Sequence, residues 1–123
     1  MVISDTDILI ASFRKNAMAK QLIIKYASQL HISIVTEMEL YAGANDSSKK
    51  TSVKEVLKNH EVLPLTKSIG EKALKLMQLH NTRTENLYLA DALIAATCLE
   101  YNASLITFNT KDFKFIKGLK LAK

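Results

Sequence analysis

The thirteen residues from Leu89 to Tyr101 (LADALIAATCLEY) are apolar on almost every side. A helix without a polar face must sit centrally, with other elements covering it all round. The rest of the chain alternates in kind. Met1–Ser4, Ile32–Val35, Val62–Leu65 and Ser104–Thr107 are short, largely apolar runs that read as strands, with Leu119–Leu121 a possible last one. Pro64 cannot donate to a ladder, so the third is expected at an edge or to be irregular. Between them, Ala17–Leu30, Thr36 to about Gly43, Lys49–Asn59 and Thr66–His80 carry helical periodicity. Thr36 and Glu39 have capping-box spacing, and Thr6 or Asp7 could cap whatever follows the first strand. Strands alternating with helices predict an α/β fold, a three-layer α/β/α arrangement with a mainly parallel central sheet. With 123 residues and no repeat or linker, one domain spanning 1–123 is expected.

Four stretches set a carboxylate at or near the end of an apolar segment: Ile3–Asp7, Thr36–Leu40, Leu89–Leu93 and Thr107–Phe113. In parallel sheets ligands collect at the carboxyl ends of the strands, where Asp5 and the Asn109–Asp112 segment fall and where Glu39 begins a helix. Asp91 is the most informative. Packing and helix propensity would both prefer Ala among its neighbours Leu89, Ala90, Ala92 and Leu93. The helix dipole offers a charge there only about 0.3–1 kcal/mol, against several kcal/mol for desolvating an ion. Gathered carboxylates need a cation, and magnesium and manganese prefer oxygen ligands. The pattern therefore predicts a metal-dependent phosphoryl-transfer site.

Each residue also has a plainer reading. Asp5 is assigned to metal and Asp7 to a supporting role, though one of them could simply cap a helix. Glu39 is divided evenly between a capping role and the site, with Gly43 on its face allowing close approach of another element. Asn109 and Asp112 could be turn residues or could complete a metal shell. Phe108, Phe113 and Phe115 are expected to pack in the core rather than to stack on bases.

The net charge of +5 and the pI of about 9.3 favour anionic partners, and a basic surface around an acidic site suits a nuclease. The lysines at 49–50 and along the C-terminal segment read most simply as a solvated face. The single cysteine, Cys98, excludes an internal disulfide and reads as a buried, inert thiol. One cysteine and three scattered histidines leave no zinc spacing. No run approaches the ~20 apolar residues of a membrane span, and Asp5 and Asp7 interrupt any signal-like segment, so a cytoplasmic protein is expected.

The motifs DTDILI, ELYAG, ADALIAA and LITFNTKDF, in this order from the first strand to the C-terminal segment, resemble the PIN domain. More narrowly, they resemble the VapC-type toxins of toxin–antitoxin pairs. The resemblance implies a Mg²⁺- or Mn²⁺-dependent endoribonuclease acting on RNA. It places Asp5, Glu39 and Asp91 on the metal-binding acids, Asp112 or Asn109 in the fourth acidic role, and Thr6, Asp7, Thr107 and Asn109 as supporting polar groups. Phe108 stands where many members carry Arg. The resemblance also implies a homodimer and a small antitoxin partner. Two rivals are weighed beside it: a basic RNA- or protein-binding module without activity, and a haloacid-dehalogenase-like phosphatase using Asp5 as nucleophile. The latter lacks the later Asp pair and the chain length it would need.

Overall fold

The computed structural model describes all residues from Met1 to Lys123. Strand β1 (Val2–Ser4) leads into α1 (Thr6–Phe13) and α2 (Ala17–Lys25). Then come β2 (Leu30–Ser33), α3 (Ile34–Ala42), α4 (Ser47–Lys58), β3 (Glu61–Leu63), α5 (Lys67–His80), α6 (Leu89–Tyr101), β4 (Ser104–Ile106) and β5 (Lys120–Leu121). A short 3₁₀ turn at Thr110–Asp112 lies between the last two strands. All five strands are parallel, in the order β3-β2-β1-β4-β5. The expected α/β fold with a parallel sheet is what the chain forms.

Period-two alternation sorts the strand side chains onto two faces. Ile3 and Leu105 point to the larger core, with Ile94, Ala95, Ala96 and Cys98 of α6 and Ile69 and Ala73 of α5. Val2, Ile106 and Leu30 point the other way, against Ile8 of α1 and Ala19 of α2. Leu9, Ile32, Leu40 and Val53 extend that second face beneath α3 and α4. Helix α6 is central, as its lack of a polar face requires, and Asn102 ends it in the left-handed conformation at φ 51°.

Local expectations shift where a hydroxyl competes for a helix end. The helix that starts at Ala17 stops at Lys25 rather than Leu30, and Leu30 instead opens β2. Ser33, not Thr36, caps α3 by accepting from the Val35 N–H, so Ile34 and Val35 are helical rather than extended. The Thr36–Glu39 capping box does not form. Asp5, rather than Thr6 or Asp7, caps α1. Gly43 is the C-cap of α3 at φ −92°, which any residue adopts, and a Cβ there would meet nothing nearer than 3.8 Å. Close approach is therefore not what that glycine provides. β3 ends before Pro64 and lies at the sheet edge, as that proline dictates.

Phe113 and Phe115 pack as expected. Phe113 is fully buried, and Phe115 meets the ring of His80 with centroids 4.8 Å apart. Phe108 does not: it belongs to no core cluster and is 40% exposed. Phe113→Ala would empty a large site in the larger core, and urea denaturation should register a loss of about 3–5 kcal/mol.

Candidate active site

The strand order reverses direction between β1 and β4, the switch point at which parallel sheets open a crevice. Asp5 sits there at the end of β1, its N–H continuing the ladder to the Ile106 carbonyl at 2.9 Å. Its Oδ1 accepts from the Thr6 N–H at 2.8 Å, while its Oδ2 lies 2.7 Å from the hydroxyl of Thr107, just beyond β4. That hydroxyl has one proton, which goes to Asp5, and it accepts in turn from the Asn109 N–H at 3.0 Å. Asp7, in the first turn of α1, accepts the Phe108 N–H on Oδ2 at 3.0 Å. Its other oxygen, Oδ1, is buried with no partner.

A second hydroxyl bridge comes from the other side. Thr6 Oγ1 lies 2.6 Å from Glu39 Oε1 of α3 and 3.0 Å from the hydroxyl of the fully buried Thr36. With a single proton, Thr6 donates to the carboxylate and takes its second bond from Thr36. Asp91 projects from the first turn of α6, and its charge is felt by, and feels, the rest of the cluster. Thus Asp5, Asp7, Glu39, Asp91 and Asp112 share one electrostatic neighbourhood, although they come from the β1–α1 junction, α1, α3, α6 and the 3₁₀ turn. Asn109 contributes its backbone N–H, and Thr110–Asp112 folds the following turn so that Asp112 is the strongest charged neighbour of Asp91. Thr36 is the participant the sequence did not disclose, because its spacing fitted a cap equally well.

Burial is the first cause of strain in this cluster. It raises Asp5 to about 7, helped by Asp7 and Asp91 and opposed by the bonds from Thr107 and Thr6. Burial likewise raises Asp7. Asp91 is pushed to about 6 by burial and then by Asp112, Glu39 and Asp7. No ion pair of the chain includes any of the five acids: those pairs involve Glu61, Glu71, Glu85 and Glu100. Cys98, buried close enough to feel Asp5, has its thiol pushed up to about 12 and is inert, as expected.

The donor set suits a hard cation. It consists of oxygens, it carries uncompensated negative charge, and it leaves Asp7 Oδ1 without a partner. No three His, Cys, Asp or Glu side chains close on one point tightly enough to hold a metal unaided. The protein would therefore supply only part of a coordination shell, the usual situation for magnesium, which keeps several waters.

A parallel sheet with carboxylates crowded at its switch point defines a class, and comparison gives it a name. The family model described as PIN domain matches residues 2–119, and the chain belongs to the PIN domain family. Within that family its relatives are VapC proteins. Ribonuclease VapC10 of Mycobacterium tuberculosis is 30% identical over 122 residues, spanning 98% of this chain and 91% of that protein. Ribonuclease VapC1 of Rickettsia felis is 31% identical over 128 residues, spanning 98% and 93%. Among solved structures, a toxin–antitoxin complex from Klebsiella pneumoniae superposes with a TM-score of 0.83 at 33% identity, over 97% of this chain and 95% of that one. VapBC2 from Rickettsia felis bound to a promoter DNA fragment superposes with a TM-score of 0.88 over 99% and 98%; at 22% identity that likeness speaks for the fold.

The raised carboxyls set a sign for stability. Below about pH 4, Asp5 is protonated whether folded or not and contributes nothing. Between there and about 7 the folded state holds the proton more tightly, so stability falls as pH rises, and above 7 the full penalty applies. Asp5→Asn in chelator should therefore raise the Tm at pH 8 by several degrees, a gain that calorimetry should find vanishing toward pH 4.

Proposed function

We propose that this chain is a metal-dependent endoribonuclease, the toxin of a VapBC-type pair, with residues 1–123 acting as one PIN-like domain. The observation that carries the reading is the set of five acids at the switch point with no cationic side chain among them. Relatives named ribonuclease VapC support the reaction class.

Asp5, Glu39 and Asp91 are the residues that would hold Mg²⁺ or Mn²⁺, with Asp112, the strongest charged neighbour of Asp91, in the fourth acidic role ahead of Asn109. The bound cation supplies a water of lowered pKa and neutralises charge developing on the scissile phosphate. The protein's own share is orientation. Thr107 fixes Asp5 Oδ2 and Thr6 fixes Glu39 Oε1, so two ligands from different elements cannot turn away. The Phe108 N–H occupies Asp7 Oδ2 and so holds that side chain against the segment that follows β4. The basic surface implied by a net charge of +5 suits a phosphodiester backbone.

Partner binding has support as well. A cavity of about 360 Å³ between α1, α3 and α4 combines apolar Ile10, Phe13, Leu40 and Val53 with Arg14 and Lys49, and ends on Glu39. It suits an antitoxin segment laid toward the acids. Exposed Leu74 and Leu79 of α5, with Leu89 of α6, supply apolar surface for a homodimer. No helix is long and apolar enough to cross a membrane.

Asp91→Asn keeps the shape of the side chain and removes the charge. It should lower RNA cleavage at least 100-fold and weaken Mn²⁺ binding by calorimetry, while fluorescence anisotropy still finds RNA bound. EDTA should abolish cleavage by the unmodified protein, with Mg²⁺ or Mn²⁺ restoring it. Full activity in EDTA would overturn the reading. An effect on RNA unchanged by Asp91→Asn would return the case to a binding module, and a phosphoenzyme trapped on Asp5 would return it to a phosphatase.

A further inference from the structure

Phe108 is a large apolar ring at the surface, and the backbone that carries it is not free to move. Its own N–H is bonded to Asp7 Oδ2 at 3.0 Å, and the hydroxyl of Thr107 before it is bonded to Asp5 Oδ2 at 2.7 Å. The N–H of Asn109 after it returns to that same hydroxyl at 3.0 Å. Thr107 and Phe108 are thereby tied to the two acids at the end of β1 and the start of α1, and Asn109 is tied back to Thr107. The ring itself belongs to none of the three apolar clusters and is 40% exposed, whereas Phe113, five residues on, is fully buried. Leaving an aromatic face in water costs free energy that packing inward would recover. Here the turn that satisfies Asp7 through the Phe108 N–H leaves the ring outside the core.

A partly exposed aromatic ring on a backbone tied to the acids of the proposed phosphodiester-cleaving centre matches one chemical feature of an RNA chain: the unpaired base attached to a nucleotide whose phosphate lies at the acids. We propose that Phe108 is a substrate-positioning residue that stacks on a base next to the scissile phosphate. This rests on the ribonuclease reading and sharpens it. The substrate at the point of cutting is single-stranded, because a paired base in an A-form helix presents no face to a side chain. The contact tolerates any base, since every base has a π-face. Stacking of this kind lowers the free energy of bound substrate and of transition state alike, so its loss appears in KM rather than kcat.

The test uses the full chain and a single-stranded RNA oligonucleotide containing a cleavage site mapped with the unmodified protein. Phe108→Leu keeps an apolar side chain and removes the π-face, and Phe108→Trp keeps and enlarges it. Phe108→Leu should raise KM about tenfold with kcat within twofold of the parent, while Phe108→Trp should keep the parental KM. In the Asp91→Asn background, 2-aminopurine placed beside the cleavage site should be quenched on binding, and the quench should be lost with Phe108→Leu and kept with Phe108→Trp. An unchanged Tm for Phe108→Leu separates the result from misfolding. Parental cleavage with the same KM and the same quench in Phe108→Leu overturns the stacking role alone. RNA neither cut nor bound by the unmodified protein overturns the ribonuclease reading, and this proposal with it.

Discussion

The structure is organised around a repulsion. Five carboxylates share one neighbourhood at the carboxyl ends of the paired strands β1 and β4, and none of them is answered by a lysine, arginine or histidine. Such a grouping survives folding because the acids are spread over several elements whose own packing is secure. Ile3 and Leu105 anchor the strands on one face, Val2 and Ile106 on the other, and α6 is buried on nearly all sides. The scaffold supplies the free energy, and the cluster stores part of it as carboxyls held well above their ordinary range.

Two threonine hydroxyls make that arrangement specific. Each carries a single proton, and each delivers it to one oxygen of one carboxylate: Thr107 to Asp5 and Thr6 to Glu39. Each hydroxyl then receives a bond from behind, from the Asn109 N–H or the Thr36 hydroxyl, so its direction is fixed. The acids are consequently positioned before any ligand arrives, which lowers the ordering cost of binding one. Valine at either threonine would preserve volume and lose this, because the group matters for its polarity.

Much of this was legible in the primary structure. The unrelieved apolarity of Leu89–Tyr101 announced a central helix, and the alternation around it announced a parallel sheet. Asp5, Glu39 and Asp91 stood out because a carboxylate beside an apolar run demands a reason. What could not be read was local competition among hydroxyls. Ser33 and Thr36 both had credentials as caps of α3, and only the packed structure shows that Ser33 takes the helix end and leaves Thr36 to support Thr6. Phe108 and Phe113 looked alike as aromatics in one motif. Their opposite fates follow from which backbone N–H reaches Asp7, a contact between residues 101 positions apart. Such long-range choices leave no local periodicity to detect.

The sheet's margins carry a consequence of their own. β3 has three residues and is followed at once by Pro64, and β5 has only two. Neither border presents enough unpaired N–H and C=O groups to template an added strand. The exposed apolar side chains Leu74, Leu79 and Leu89 stand instead on helices. Whatever grips it must read side chains there, because the backbone offers no rail along which a stranger could zip.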